Sequence, residues 1–236
     1  MGADERPSAQ LTQRDGWIAV AYLMAYLAYL FWRQEGEIAH WATMVALPVA
    51  VAYGSLPSGK RNLRRALGTV GLRSGSLTRG VGWAILAGAL ITAFQVFLGG
   101  HSDEIQGLIR SGRALWLFPL SLALMFVLAA FTEEVLFRGF LQTRLEALFR
   151  SRWIAVVVAA FLFGVYHLPY AYLNPRWPSY GDWGAAWSAA LGNGVPGGLV
   201  LGGLYVISRG NLVACVVLHS LINAAPAMTM LRFGGG

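Results

Sequence analysis

The chain has 236 residues, 56% of them hydrophobic and only 12% charged, with a mean hydropathy of +0.54. A soluble domain carries about twice that charged fraction, so the composition excludes a water-soluble globular protein and indicates a polytopic membrane protein. The formal charge of +7 does not indicate nucleic acid: all but Lys60 of the 18 basic residues are arginine, scattered between apolar runs as in loops beside an anionic leaflet.

Residues 1–16 are polar and read as a short cytoplasmic N-terminus. The first apolar run, Trp17–Trp32, has no small-residue cleavage site near its end and reads as a retained helix. Further candidate spans follow at Ile38–Tyr53, Val81–Leu98, Leu115–Phe137, Trp153–Leu173, Ala185–Ser208 and Leu212–Leu231. The expected fold is therefore all-α, a membrane bundle of about seven helices. The sixth span contains Gly192, Gly194, Pro196, Gly197 and Gly198, so a break or a short re-entrant piece, and hence an eighth crossing, stays open. Residues 17–114 form the N-terminal membrane helices with a basic loop at 54–79, in which a short interfacial helix is expected around Asn62–Leu72. The polar constellations all lie in 115–236. Gly139 to Arg152 has helical apolar spacing and is expected to lie along the membrane surface.

With the N-terminus inside, 13 Lys and Arg fall in inner segments and 5 in outer ones, which sets an N-in, C-out orientation in a cell membrane. Cys215 is alone, so there is neither a disulfide framework nor a thiolate metal cluster. In an apolar span its thiol has little nucleophilic character.

Three polar groups interrupt the apolar helices. Glu133 and Glu134 precede Arg138; helical spacing pairs Glu134 with Arg138 and turns Glu133 about 100° away. His167 follows Phe163 by one turn and precedes Pro169, which is expected to distort the helix. His219 and Asn223 share one face of the last span. His40 and His101 sit near span ends and read as incidental. Each group alone matches a structural device, a helix-end ion pair or an interhelical hydrogen bond. Two histidines, an asparagine and a glutamate pair on three helices are too many costly groups for packing alone. A glutamate and a histidine can activate water, with Glu133 as base and His167 orienting the water, while His219 and Asn223 face a developing oxyanion. Glu133, His167 and His219 also match the ligand count of a catalytic zinc site, although the HExxH spacing is absent.

These motifs, Glu133-Glu134-x-x-x-Arg138, Phe163-x-x-x-His167 and His219-x-x-x-Asn223 in that order, resemble the CAAX protease and bacteriocin-processing family, also called CPBP or Abi, which includes the type II CAAX prenyl endopeptidases. Gly198-x-x-x-Gly202-x-Leu204-Tyr205 and Gly210-Asn211-Leu212 fit the same resemblance. It implies an intramembrane endopeptidase core in 115–236, with Glu133, His167, His219 and Asn223 as catalytic residues and Glu134, Arg138 and Phe163 in support. It implies a membrane-associated peptide or protein as substrate, the lipid bilayer as surroundings and no nucleic-acid partner. Its glutamate mechanism requires no cofactor, zinc being the alternative. Prenylated tails are the eukaryotic substrates implied, whereas the Arg-rich loops have a prokaryotic look. Two other functions stay open from the residues: a transporter or proton relay through the same Glu and His side chains, and a non-catalytic immunity or partner protein. The sequence leaves the oligomeric state open.

One depth does not match. At 1.5 Å per residue, these span boundaries put Glu133 and His219 about 10–12 Å deep and His167 about 21 Å. The fifth span is therefore expected to start nearer Val157, with Ser151–Trp153 in the surface helix.

Overall fold

The computed structural model describes Ser8 and residues 11–33, 36–72, 78 and 80–231. Arg6, Arg73, Arg79 and Arg232, which enter the count of loop charges, lie outside the described residues, as does most of segment 1–10. Among the described residues all regular structure is helical. Seven helices are long and apolar enough to cross a membrane: α1 (Gln13–Trp32), α2 (Ile38–Ser55), α4 (Val81–Leu98), α6 (Ala114–Phe149), α7 (Arg152–Leu173), α8 (Trp183–Ile207) and α9 (Leu212–Met230). Two short helices join them, α3 (Leu63–Thr69) in the basic loop and α5 (Ser102–Arg110) between α4 and α6.

Helix starts are set by local chemistry. Asn62, Ser151, Asp182 and Asn211 each place a side-chain oxygen on a backbone N–H of the following turn, at 2.8, 3.4, 3.0 and 3.0 Å, satisfying donors that have no partner within the helix. The membrane-facing surface is apolar: Trp83, Leu90, Phe94 and Phe97 of α4 are exposed, as a helix bordered by hydrocarbon requires.

The fourth span corrects the surface-helix expectation. Gly139 to Phe149 does not lie on the membrane but continues α6, which is 36 residues long. Every residue from 135 to 145 is buried. Arg144, completely buried, donates to the Phe140 carbonyl at 3.3 Å and lies 4.2 Å over the Phe140 ring. Of the periodic residues, Phe140, Leu141 and Leu145 are buried, with Gln142 and Arg144 between them, whereas Glu146 and Leu148 are half-buried and Phe149 is exposed. Two π-helical stretches, Phe126–Ala130 and Val135–Gln142, bracket the turn that holds Glu133; such wide turns concentrate at functional sites.

Continuity of α6 changes the depth count. Glu133 lies 16 residues before Phe149 and His167 15 residues after Arg152, about 24 and 22 Å along their helices, whereas His219 lies only seven residues after Leu212, about 10 Å. The fifth span starts at Arg152 rather than Val157, and since His219 stands 3.7 Å from Glu133, the helices do not end at one level: the last turns of α6 extend past the start of α9. Pro169 does mark a bend: the regular helix stops at Tyr166, His167 forms a turn, and a second segment runs Leu168–Leu173. The sixth span, by contrast, is one unbroken helix despite Pro196 and its glycines.

Those glycines let α8 approach α7. A Cβ on Gly194 would meet the Cα of Gly164 at 2.6 Å, and one on Gly198 would meet the Cα of Ala160 at 2.7 Å. Small residues at a helix crossing allow this backbone contact. On the other side of α6, a Cβ on Gly139 would collide with the Val70 carbonyl, so the turn after α3 is seated against α6.

The bundle has two distinct ends. At one, Gln13 of α1 donates to the Leu148 carbonyl of α6 at 3.2 Å, beside the basic α3. At the other, Phe31 of α1 meets Trp183 of α8, ring centroids 5.9 Å apart. The structure changes one part of the charge count: Arg138 and Arg144 are buried within α6 rather than in a loop. Without them the bias is 11 against 5, which keeps its sign.

Candidate active site

Four helices converge where α6 leaves its first π-helical stretch. Glu134 is fully buried, and its Oε1 accepts two hydrogen bonds at 2.8 Å, one from Arg138 NH1 and one from His219 Nδ1. The pair with Arg138 is the i, i+4 contact that the spacing implies. The bond to His219 crosses from α6 to α9 and was not legible in spacing. A carboxylate paired to arginine can only accept, so the hydrogen of that second bond resides on Nδ1. Glu134 therefore fixes the ring orientation of His219 and turns Nε2 toward Glu133.

Glu133 is 8% exposed, and its Oε2 has no hydrogen-bond partner among the described residues. It stands 3.7 Å from His219 Nε2, too long for a hydrogen bond and short enough for both groups to reach one small bound species. An unpaired buried carboxylate oxygen is costly, and this one lines a cavity of about 330 Å³ shared with His167.

His167 is half-buried at the α7 bend. Its Nδ1 donates to the Phe163 carbonyl at 2.8 Å, because a carbonyl can only accept; Nε2 is the nitrogen left for other partners. Phe163 organises the site's apolar side. Its ring packs edge-on against both imidazoles, with centroids 4.7 Å from His167 and 6.0 Å from His219, and the Arg138 guanidinium lies 4.4 Å over its face. Arg138 reaches further, to the Gly198 carbonyl of α8 at 3.4 Å. The guanidinium thereby ties α6, α7 and α8 together around the acidic pair.

Six of the seven residues singled out from sequence are joined by these contacts or by the shared cavity. Asn223 is the exception: it lies one turn beyond His219 on α9, half-buried, with no side-chain hydrogen bond among the described residues. Neither the carbonyl nor the NH2 of its side-chain amide is committed among the described residues. Among the described residues no three His, Cys, Asp or Glu side chains are placed to hold a metal ion. Glu133, His167 and His219 do not converge as zinc ligands. Cys215 is buried with its thiol against the Leu201 carbonyl at 3.6 Å.

The structure adds a residue that the sequence reading set aside as incidental. His40 of α2 lines the same cavity, and its Nε2 lies 2.9 Å from Thr132 Oγ1, next to Glu133. Its neighbour Trp41 stacks on Phe131, centroids 5.5 Å apart. Tyr166, Tyr170 and Trp177 complete the aromatic wall. A histidine three residues inside an apolar span was the available signal for His40; its nearness to the span end obscured it.

Comparison with curated proteins and with solved structures found no match. The family described as "Type II CAAX prenyl endopeptidase Rce1-like" matches residues 115–225, just under half of the chain, from the first turn of α6 to the turn beyond His219 and Asn223. Residues 115–225 of this multi-pass, all-helical membrane protein are thus similar to the CAAX protease family of peptidases.

Proposed function

We propose that the chain is an intramembrane endopeptidase in which Glu133 activates water for attack on a peptide carbonyl. The observation that carries the reading is the unpaired Glu133 Oε2 in the cavity, 3.7 Å from a His219 ring held from behind by Glu134. Glu133 takes a proton from water as its oxygen attacks the carbonyl carbon. A tetrahedral intermediate forms with its negative charge on the former carbonyl oxygen. Glu133, now a carboxylic acid, returns the proton to the amide nitrogen as the C–N bond breaks, giving a new carboxyl and a new amine terminus. General acid–base steps of this kind contribute about 10²–10⁴ in rate.

His167, with Nδ1 committed to the Phe163 carbonyl, has Nε2 available to accept from the water and orient it. His219 and Asn223 face the oxyanion. With Nδ1–H given to Glu134, His219 donates through Nε2 as an imidazolium, a charged donor flanked by two carboxylates. Asn223 supplies a neutral N–H whose partner is the intermediate rather than the protein. Preorganised donors in a low-dielectric site are worth more than the same donors in water.

The substrate is a membrane-associated peptide or protein. Termini of membrane proteins from cells carrying the wild type are compared with those from cells carrying Glu133→Gln. New termini present only with the wild type support the reading, provided the variant inserts at equal level. Full cleavage by Glu133→Gln overturns it.

A further inference from the structure

Glu133 is aimed by its neighbours. It lies in a single α-helical turn, Phe131–Glu134, between the π-helical stretches Phe126–Ala130 and Val135–Gln142. No continuous α-helical ladder therefore runs through that turn to set its rotation. Glu133 has no tether for its Oε2 either, which lacks a hydrogen-bond partner among the described residues. Its three companions in the turn are all held. Glu134 bonds Arg138 and His219, Phe131 stacks on Trp41, and Thr132 bonds His40.

The bond to His40 has a fixed direction. Thr132 is completely buried, and its hydroxyl gives its one hydrogen to the Ala129 carbonyl at 3.0 Å, a group that only accepts. The 2.9 Å contact is therefore His40 Nε2–H donating to Thr132 Oγ1. Ala129 belongs to the first π-helical stretch, so this chain of two bonds joins α2 both to the wide turn and to the residue beside Glu133. His40 and Trp41 are adjacent on α2, and they grip the two adjacent residues that precede Glu133 on α6. Both lie outside residues 115–225, and His40 also lines the cavity that Glu133 enters.

We infer that His40 is a positioning residue for Glu133: by donating to Thr132 it sets the direction in which the neighbouring carboxylate enters the cavity. The role rests on the peptidase reading for the reaction that is served, and on the contacts of Phe131–Glu134 for the residue that serves it. A base with an untethered oxygen depends on its backbone for aim, and a misplacement of about 1 Å costs on the order of a hundredfold in rate.

The test uses the full chain in liposomes and a synthetic peptide spanning a terminus that depends on Glu133 in cells. His40→Ala should lower kcat about 10–100-fold and leave KM within about twofold. His40→Gln, whose side-chain NH2 can take the place of Nε2–H, should restore kcat to within about threefold of wild type, whereas His40→Leu, of similar bulk without a donor, should not. Thr132→Val keeps the shape of Thr132 and removes the acceptor. It should lower kcat as far as His40→Ala does, and the double variant no further than either alone. Should His40→Ala fail to insert, Thr132→Val and His40→Gln carry the same comparison. Full kcat in His40→Ala or Thr132→Val overturns the assignment, as do equal rates in His40→Gln and His40→Leu or additive losses in the double variant. A raised KM at unchanged kcat makes His40 a substrate contact and overturns it as well. If no Glu133-dependent terminus exists, the peptidase reading fails and the assignment with it. A Glu133-dependent product made at full kcat without His40 overturns the assignment alone.

Discussion

Glu133 and Glu134 are adjacent in sequence and both buried, yet removal of their charges has opposite consequences for stability. Glu134→Gln takes away the only carboxylate among the described residues that is hydrogen-bonded to Arg138, whose side chain is 2% exposed, and weakens the bond that holds His219. Breaking a buried ion pair from one side costs about 3–5 kcal/mol, because the other charge stays behind. Gln keeps one acceptor oxygen, which puts the expectation at the lower end, about 3 kcal/mol, or roughly a hundredfold in the folding equilibrium. Glu133→Gln removes a charge whose Oε2 has no hydrogen-bond partner among the described residues. The amide is cheaper to bury, so the change in stability is within about 0.5 kcal/mol or slightly favourable. Unfolding in mixed micelles by increasing SDS fraction, followed by far-ultraviolet circular dichroism, measures both. Equal stability of Glu134→Gln and wild type, or an equal loss in Glu133→Gln, refutes the division of roles between the two carboxylates.

Asn223→Ala should lower kcat by about 10²–10³ and leave the SDS midpoint unchanged, since Asn223 has no hydrogen bond to lose among the described residues; a large stability loss would instead make it a packing residue. Gly139→Val drives a side chain into the Val70 carbonyl and should destabilise by about 1–3 kcal/mol, read in the same unfolding assay. The purified enzyme should keep its rate in EDTA and in 1,10-phenanthroline; inhibition reversed by added zinc alone would restore the metal alternative with Glu133, His167 and His219.

The sequence revealed most where spacing along one helix determines the contact. Glu134 and Arg138 are four apart and meet at 2.8 Å; Phe163 and His167 are four apart and pack edge to edge. Contacts between helices were hidden. Nothing in spacing shows that Glu134 serves His219, that Arg138 reaches Gly198, or that His40 lines the cavity, because each depends on how two helices are rotated and how deep they sit. The end of the fourth span was misread for a related reason. Gln142, Arg144 and Glu146 look like an interfacial surface by composition. In the fold the first two are buried, with Gln142 donating to the Gly202 carbonyl at 3.1 Å. Hydropathy averages a stretch, whereas burial of a charged group is decided by the one partner it finds.

The backbone contact between α7 and α8 has a mechanical consequence. With Gly164 against Gly194 and Ala160 against Gly198, neither helix can slide or roll without steric collision, so that wall of the cavity is stiff. His167 hangs from the stiff wall. The facing wall is held by side chains instead: His40 to Thr132, Trp41 to Phe131, Tyr22 to the Thr43 carbonyl and Tyr166 to the Met44 sulfur. The cavity therefore has one wall fixed by backbone contact and a facing wall fixed by side-chain packing, in which a substitution on α2 alters the packing without moving the α7–α8 pair.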